Sequence, residues 1–156
     1  MTVIEKYQIF AKDYGDSLSR YLGRIQVLLM DRLISELKKK HKVELSHSQF
    51  HGLQSLCLKG MSQNDLAIRL GISKQALSQL IKDLVSQGLI SKEIDPNDSR
   101  GRILKHTAKG KRVVSSLIDI SIRVEEEFIK LTGKENYLIL KDALKTIEDN
   151  LTKLPN

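Results

Sequence analysis

One cysteine, two prolines, no tryptophan and no long apolar run are the first limits on what this chain can be. A lone Cys57 cannot close an internal disulfide, and it suits a reducing cytoplasm, where the protein is expected to reside. Proline stands only at positions 96 and 155, so long stretches are free to be helical. The longest wholly apolar run, Val27 to Met30, is far too short to cross a bilayer, and no membrane partner is expected. Glu5, Lys6, Lys12 and Asp13 occupy the first residues, without the apolar stretch of a signal peptide. Internal repeats and low-complexity tracts are missing. So are a phosphate-cradling glycine loop, a nucleophile elbow and a dense carboxylate pair, so neither an enzyme nor a bound cofactor is expected.

What remains is an ordinary globular composition with a charge bias. Forty per cent of the 156 residues are hydrophobic and 29% charged, which favours one ordered domain over disorder. The formal net charge is +7. Between Ser62 and Arg112 ten Lys and Arg face five Asp and Glu, so +5 of that excess sits in one third of the chain. A basic segment attracts polyanions through counterion release, and a membrane surface or an acidic partner would satisfy the same balance.

Apolar spacing divides the chain. From about Lys6 to Lys40, Phe10, Tyr14, Leu18, Tyr21, Ile25, Leu28, Leu29, Leu33 and Leu37 recur at helical steps, with a break expected near Gly15 or Gly23. Lys38, Lys39 and Lys40 suit the C-terminal end of that helix dipole. Ser46 and Gln49 have capping-box spacing and open a helix expected to reach Lys59, with Phe50, Leu53, Leu56 and Cys57 on its apolar stripe. Ser62 and Asp65 open a short helix to Leu70. Gly71 punctuates, and Ser73 caps a third helix running to about Gln87. The period then changes to that of a strand at Leu89–Ile94, a turn at Asp95–Asp98 and a returning strand at Arg102–His106. Two more amphipathic helices follow, divided at Gly133.

Two short helices joined through a glycine and followed by a hairpin make a winged helix-turn-helix. Ala67, Leu70, Ile72, Leu77, Leu80, Ile81 and Leu84 would hold the helix pair together, leaving Lys74, Gln75, Ser78, Gln79 and Lys82 outward on the second helix. Such a helix fits a major groove. Gln can pair bidentately with adenine, Lys can reach guanine acceptors or phosphate, and Ser can meet either. Asp83, the one acid of that face, lies toward its C-terminal end. Asp98, Ser99, Arg100, Gly101 and Arg102 form a basic hairpin tip suited to a minor groove, with Asp98 spaced to hold Arg100. Ser62 and Ser73 complete the expected DNA-contact set.

Over Leu45–Gly110 the sequence resembles the MarR family of regulators. The phrases that carry the likeness are LSHSQ at Leu45–Gln49, SQNDLA at Ser62–Ala67, ISKQALSQLIKDLVSQGLI at Ile72–Ile90 and DPNDSR at Asp95–Arg100. One departure is His106, which precedes Thr107 where the family's second wing strand ends Leu-Thr. The resemblance implies a mainly α protein with a small antiparallel β-hairpin: a winged helix-turn-helix lobe (46–107) and a helical dimerisation platform (6–40 and 111–153) within one domain of residues 1–156. It further implies a homodimeric transcriptional regulator, a repressor in most such cases, on a pseudo-palindrome of double-stranded DNA. The unpartnered apolar stripes independently favour a two-fold pair.

Members of the family often answer to a small-molecule effector held between platform and reading head. Here Tyr14, Tyr21, His47, Phe50 and His51 are the candidate cleft residues. His47 and His51 have the i,i+4 spacing of a chelate, yet no Cys/His set completes a tetrahedron and no metal is expected. Cys57, on an apolar stripe, reads as a small buried hydrophobe. The rival to a regulator is a winged-helix architectural or protein-interaction module without sequence readout; the hydrogen-bonding groups of the Lys74–Lys82 face weigh against it.

Overall fold

The computed structural model describes residues 1–15, 17–95 and 98–153, with the side chains of all but Tyr14 and residues 98–101. In chain order the elements are α1 (Val3–Tyr14), α2 (Leu18–His41), α3 (His47–Ser55), β1 (Met61–Ser62), α4 (Gln63–Leu70), α5 (Lys74–Ser86), β2 (Ile90–Asp95), β3 (Asp98–His106), α6 (Ala108–Thr132) and α7 (Lys134–Leu151). They divide into two compact units, Met1–Ser115 and Ser116–Asn156, with α6 contributing to both.

Helix starts follow side-chain caps. Thr2 and Glu5 form a capping box on α1, and Ser46 and Gln49 form the expected one on α3. The long N-terminal helix is broken at Gly15–Ser17, where Ser17 is extended (φ −64°, ψ 152°), and not at Gly23, which lies inside α2. A mid-helix glycine costs only about 1 kcal/mol, which the remaining turns of a 24-residue helix absorb. Arg20 stacks 5.1 Å over the Phe10 ring and ties α2 back to α1.

The third helix stops earlier than its apolar stripe suggests, at Ser55 rather than Lys59. Long-range partners end it. Arg69 of α4 donates to the Ser55 carbonyl at 3.0 Å, and His106 of β3 bonds the Leu56 carbonyl at 3.1 Å. Two carbonyls that would otherwise be orphaned at a helix end are thereby satisfied. Leu56 is extended, and Gly60 at φ +91° turns the chain into a strand. A side chain at Gly60 would lie 2.9 Å from the Leu104 carbonyl oxygen, so the turn needs glycine.

The sheet has three antiparallel strands in the order β1-β3-β2, one more than the hairpin expected from the sequence. Met61 pairs with Leu104 and Ser62 with Ile103 on one side of β3. On the other side Ile90 pairs with His106 and Ile94 with Arg102, and an irregularity follows at Ile94/Asp95 before Asp95 meets Asp98. The returning strand therefore begins at Asp98, not Arg102, with Asp98 and Arg102 of the expected tip paired across to β2; Pro96 and Asn97 lie outside the described residues. At the strand's other end His106, the departure from the family pattern, keeps its register and is buried at 5% exposure.

Leu66, Leu77, Leu84, Ile90 and Leu104 bring α4, α5, β2 and β3 onto one core, with Leu37 of α2 and Leu53 of α3 buried in the same unit. Gln87 clips the loop before α3 to the end of α5: its Nε2 donates to the Glu44 carbonyl at 2.8 Å, and its Oε1 accepts the Glu44 N–H at 3.3 Å. Thr107 joins wing to α6, donating to the Gly88 carbonyl and accepting the Gly110 N–H.

In the second unit Leu117, Ile120 and Val124 of α6 are buried, whereas α7 buries no residue. Ile118, Ile122, Leu138, Ile139 and Leu151 stand exposed on these two helices. The Tyr137 hydroxyl donates to Glu125 across them, and this bond to a carboxylate raises the tyrosine pKa.

Candidate nucleic-acid interface

The second helix of the pair is built to show one face. Ser73 is extended and its Oγ accepts the Ala76 N–H at 3.2 Å, which opens α5. Leu77, Leu80, Ile81 and Leu84, at helical steps, are buried as expected. Lys74, Gln75, Ser78, Gln79 and Lys82 are all exposed. Gly71 at φ +63° makes the turn between α4 and α5, its N–H bonding back to Ala67 and Ile68 carbonyls. Of the expected helix-pair contacts, Leu70 and Ile72 are only half-buried, and Leu66 takes the more central place.

Ser62 is committed to α4. Its hydroxyl accepts the Asp65 N–H at 3.1 Å and donates to Asp65 Oδ2 at 2.7 Å, so both its roles are taken within the helix start. Asp83 is not the remote acid expected from its position. Its Oδ1 accepts Gln79 Nε2 at 2.8 Å and its Oδ2 accepts Gln49 Nε2 from α3 at 3.1 Å. The i,i+4 spacing of Gln79 and Asp83 was the available signal for the first bond. The second depends on how α3 crosses α5.

On the wing, Lys105 is spent on Glu93 at 2.8 Å, with Ser91 donating to the other carboxylate oxygen at 3.1 Å. These two bonds hold the Glu93 carboxyl below its ordinary pKa. Arg102 is exposed on β3. The side chains of Asp98 and Arg100, and with them the expected pairing of the two, lie outside the described residues.

At the head of α6 and the end of α2, Lys40, Lys109 and Arg112 surround His41 with positive charge. Its pKa is lowered first by burial and then by these three cations.

The expected effector residues fall into different surroundings. Phe50 is a core side chain at 3% exposure. Tyr21 is exposed with Arg24 4.8 Å over its ring. His47 bonds Asp31 of α2 at 2.7 Å, and His51 is exposed. The Tyr14 side chain is outside the described residues. Among the described residues no three His, Cys, Asp or Glu are grouped to hold a metal. Cys57 corrects its reading as a buried helical hydrophobe: it follows the helix, is half-buried, and accepts a bond from Arg69 Nη1 at 3.3 Å.

Known proteins share this arrangement. Residues 44–101, from the loop before α3 into the wing, match the model of the MarR family. The transcriptional regulator HosA of Escherichia coli O111:H- is 29% identical over 100 residues, spanning 63% of this chain and 74% of that protein. The crystal structure of a protein from Listeria monocytogenes, described as a MarR-family transcriptional regulator and complexed with 26mer DNA, is 27% identical with a TM-score of 0.68, covering 86% of this chain and 89% of its own. The transcriptional regulator SlyA has the same fold, with a TM-score of 0.71 over 88% of this chain and 95% of its own at 21% identity. These relatives are transcription regulators, not enzymes, and no described helix here is long and apolar enough to cross a membrane. The chain is thus similar, through residues 44–101 and in its fold, to winged-helix transcription regulators of the MarR family.

Proposed function

We propose that this protein binds a pseudo-palindromic operator as a homodimer and represses from it, with α5 as the reading element. The observation that carries this reading is the division of α5: a buried apolar stripe, and an opposite exposed face of Lys74, Gln75, Ser78, Gln79 and Lys82. Gln75 and Gln79 supply base-edge hydrogen bonds, Lys74 and Ser78 flank them, and Lys82 meets phosphate. Ser73 keeps its hydroxyl hydrogen for a phosphate oxygen while its oxygen caps the helix. Ser62 acts through the fold of α4. Asp98, Arg100 and Arg102 belong to the wing, whose cations suit a minor groove or its phosphates.

Homodimer formation is supported by apolar surface in both units. Val3, Ile4 and Tyr7 on α1, and Ile118, Ile122, Leu138 and Ile139 on α6 and α7, are exposed at helical spacing. Clustered apolar surface of this kind is costly in water and a symmetric partner covers it. Two reading heads would then meet successive major grooves, roughly 34 Å apart.

The test is equilibrium binding to a duplex recovered by selection and to a random duplex of equal length, across a salt series. The expected result is a preference of about 10³ or more for the selected site, with both affinities falling as salt rises. Equal affinity for both duplexes at every salt would replace this reading with that of an architectural module.

A further inference from the structure

We infer that Asp83 is a specificity-determining residue that acts through Gln79, fixing its carboxamide so that the carbonyl oxygen faces the DNA. The inference rests on α5 being the reading helix.

The geometry leaves little freedom. A carboxylate offers only acceptors, so each amide that meets Asp83 must present its NH2 group. Gln79 does so at 2.8 Å to Oδ1 and Gln49 does so at 3.1 Å to Oδ2. Gln49 is itself held, because its Oε1 accepts the Ser46 N–H at 3.1 Å while the Ser46 hydroxyl accepts the Gln49 N–H at 3.2 Å. The capping box that starts α3 therefore aims Gln49 at Asp83, and Asp83 in turn orients an exposed side chain of the reading face. The two amides use separate oxygens of the carboxylate, whereas an asparagine would offer one acceptor oxygen and turn an NH2 group toward one of them.

The consequence is a sign in the base code. A free glutamine can rotate its amide, accepting from the exocyclic amine of adenine or cytosine, or donating to the oxygen and nitrogen acceptors of guanine or to thymine O4. With Nε2 anchored, Oε1 leads outward and the position must offer a donor. One N–H remains beside Oε1, and adenine N7 can take it. An amino base, adenine or cytosine, is thus favoured, because guanine and thymine set an acceptor against Oε1 and can use only the single remaining N–H.

The experiment compares wild type, Asp83→Ala, Gln79→Ala and the double variant on duplexes that differ at one base pair. That pair is the one at which Gln79→Ala flattens the preference of the wild type. The wild type should favour amino bases there by about fivefold or more. Asp83→Ala should erase most of that ratio, and the double variant should match Gln79→Ala, the signature of a residue acting through its neighbour. Overall affinity is not the readout, because removing a carboxylate near phosphates tightens binding to every duplex. Unchanged ratios in Asp83→Ala, with a sequence-specific wild type, overturn the inference and leave the regulator reading intact. A wild type with no preference anywhere overturns both. The DNA-free wild type provides a measurement that needs no Asp83 variant to fold: the Gln79 NH2 resonances, assigned by their loss in Gln79→Ala. A shift away from free glutamine supports the anchor, and resonances identical to free glutamine overturn it.

Discussion

His106 Nε2 lies 3.1 Å from the carbonyl oxygen of Leu56, joining the end of β3 to the C-terminal cap of α3. A carbonyl only accepts, so Nε2 carries the ring proton and Nδ1 is the bare nitrogen. That Nδ1 is buried without a hydrogen-bond partner. Burial pulls the His106 pKa below 6.5; the bond to Leu56 opposes this, and the nearby Lys111 charge adds to it. The folded state thus prefers the neutral ring, whereas the unfolded chain takes up a proton near pH 6.5. The stability this contributes is present above that pH and is lost as pH falls through 6.5 toward the lowered folded value. Urea unfolding at a series of pH values should show this decline, and His106→Leu should flatten it. At neutral pH the substitution should change stability by no more than about 1 kcal/mol, since a lost hydrogen bond is offset by removal of an unpaired nitrogen.

Two glycines set how closely elements approach, and they should respond differently. A Cβ at Gly110 would fall 1.9 Å from the Leu89 backbone oxygen, a contact that only backbone movement relieves. Gly110→Ala should cost about 3 kcal/mol or more. A Cβ at Gly52 would meet Leu80 Cδ2 at 2.7 Å, the end of a flexible side chain. Gly52→Ala should therefore cost less, roughly 1–2 kcal/mol. Chemical denaturation of the two variants tests the order, and a milder effect at Gly110 would mean that α6 can shift from the wing.

The pairing of two copies should depend on the apolar faces that one chain leaves open. Ile4 is 70% exposed and Ile139 62% exposed. A buried, unpaired carboxylate at an interface costs several kcal/mol, so Ile4→Asp and Ile139→Asp should each shift the protein toward monomer in sedimentation. Helical content by circular dichroism should persist. Two dimeric variants as stable as the parent would move the interface elsewhere.

Local chemistry explains what could be read from the sequence. Ser46 with Gln49, Ser62, Ser73 and Gly71 act on backbone groups within a few residues, so their spacing alone located α3, α4 and α5. The exposed face of α5 followed from the period of Leu77, Leu80, Ile81 and Leu84. What escaped was decided by partners far along the chain. The strand at Met61–Ser62 is only two residues long and exists because Ile103 and Leu104 present a free edge. The end of α3 at Ser55 depends on Arg69 and His106, and its apolar stripe runs on past that point into Cys57. Asp83 looked like an acid set aside from the groove because its link to Gln49 spans 34 residues.

The most direct test of α5 as the reading element is the ratio of affinities for the selected and random duplexes, measured for wild type and Gln75→Ala. Gln75 is exposed near the start of α5, clear of the packed stripe, so its loss should leave folding unchanged. The expected result is a loss of about 1–3 kcal/mol on the selected site with little change on random DNA. A Gln75→Ala protein that keeps the full wild-type ratio, together with a Gln79→Ala protein that does the same, would contradict base reading by this helix.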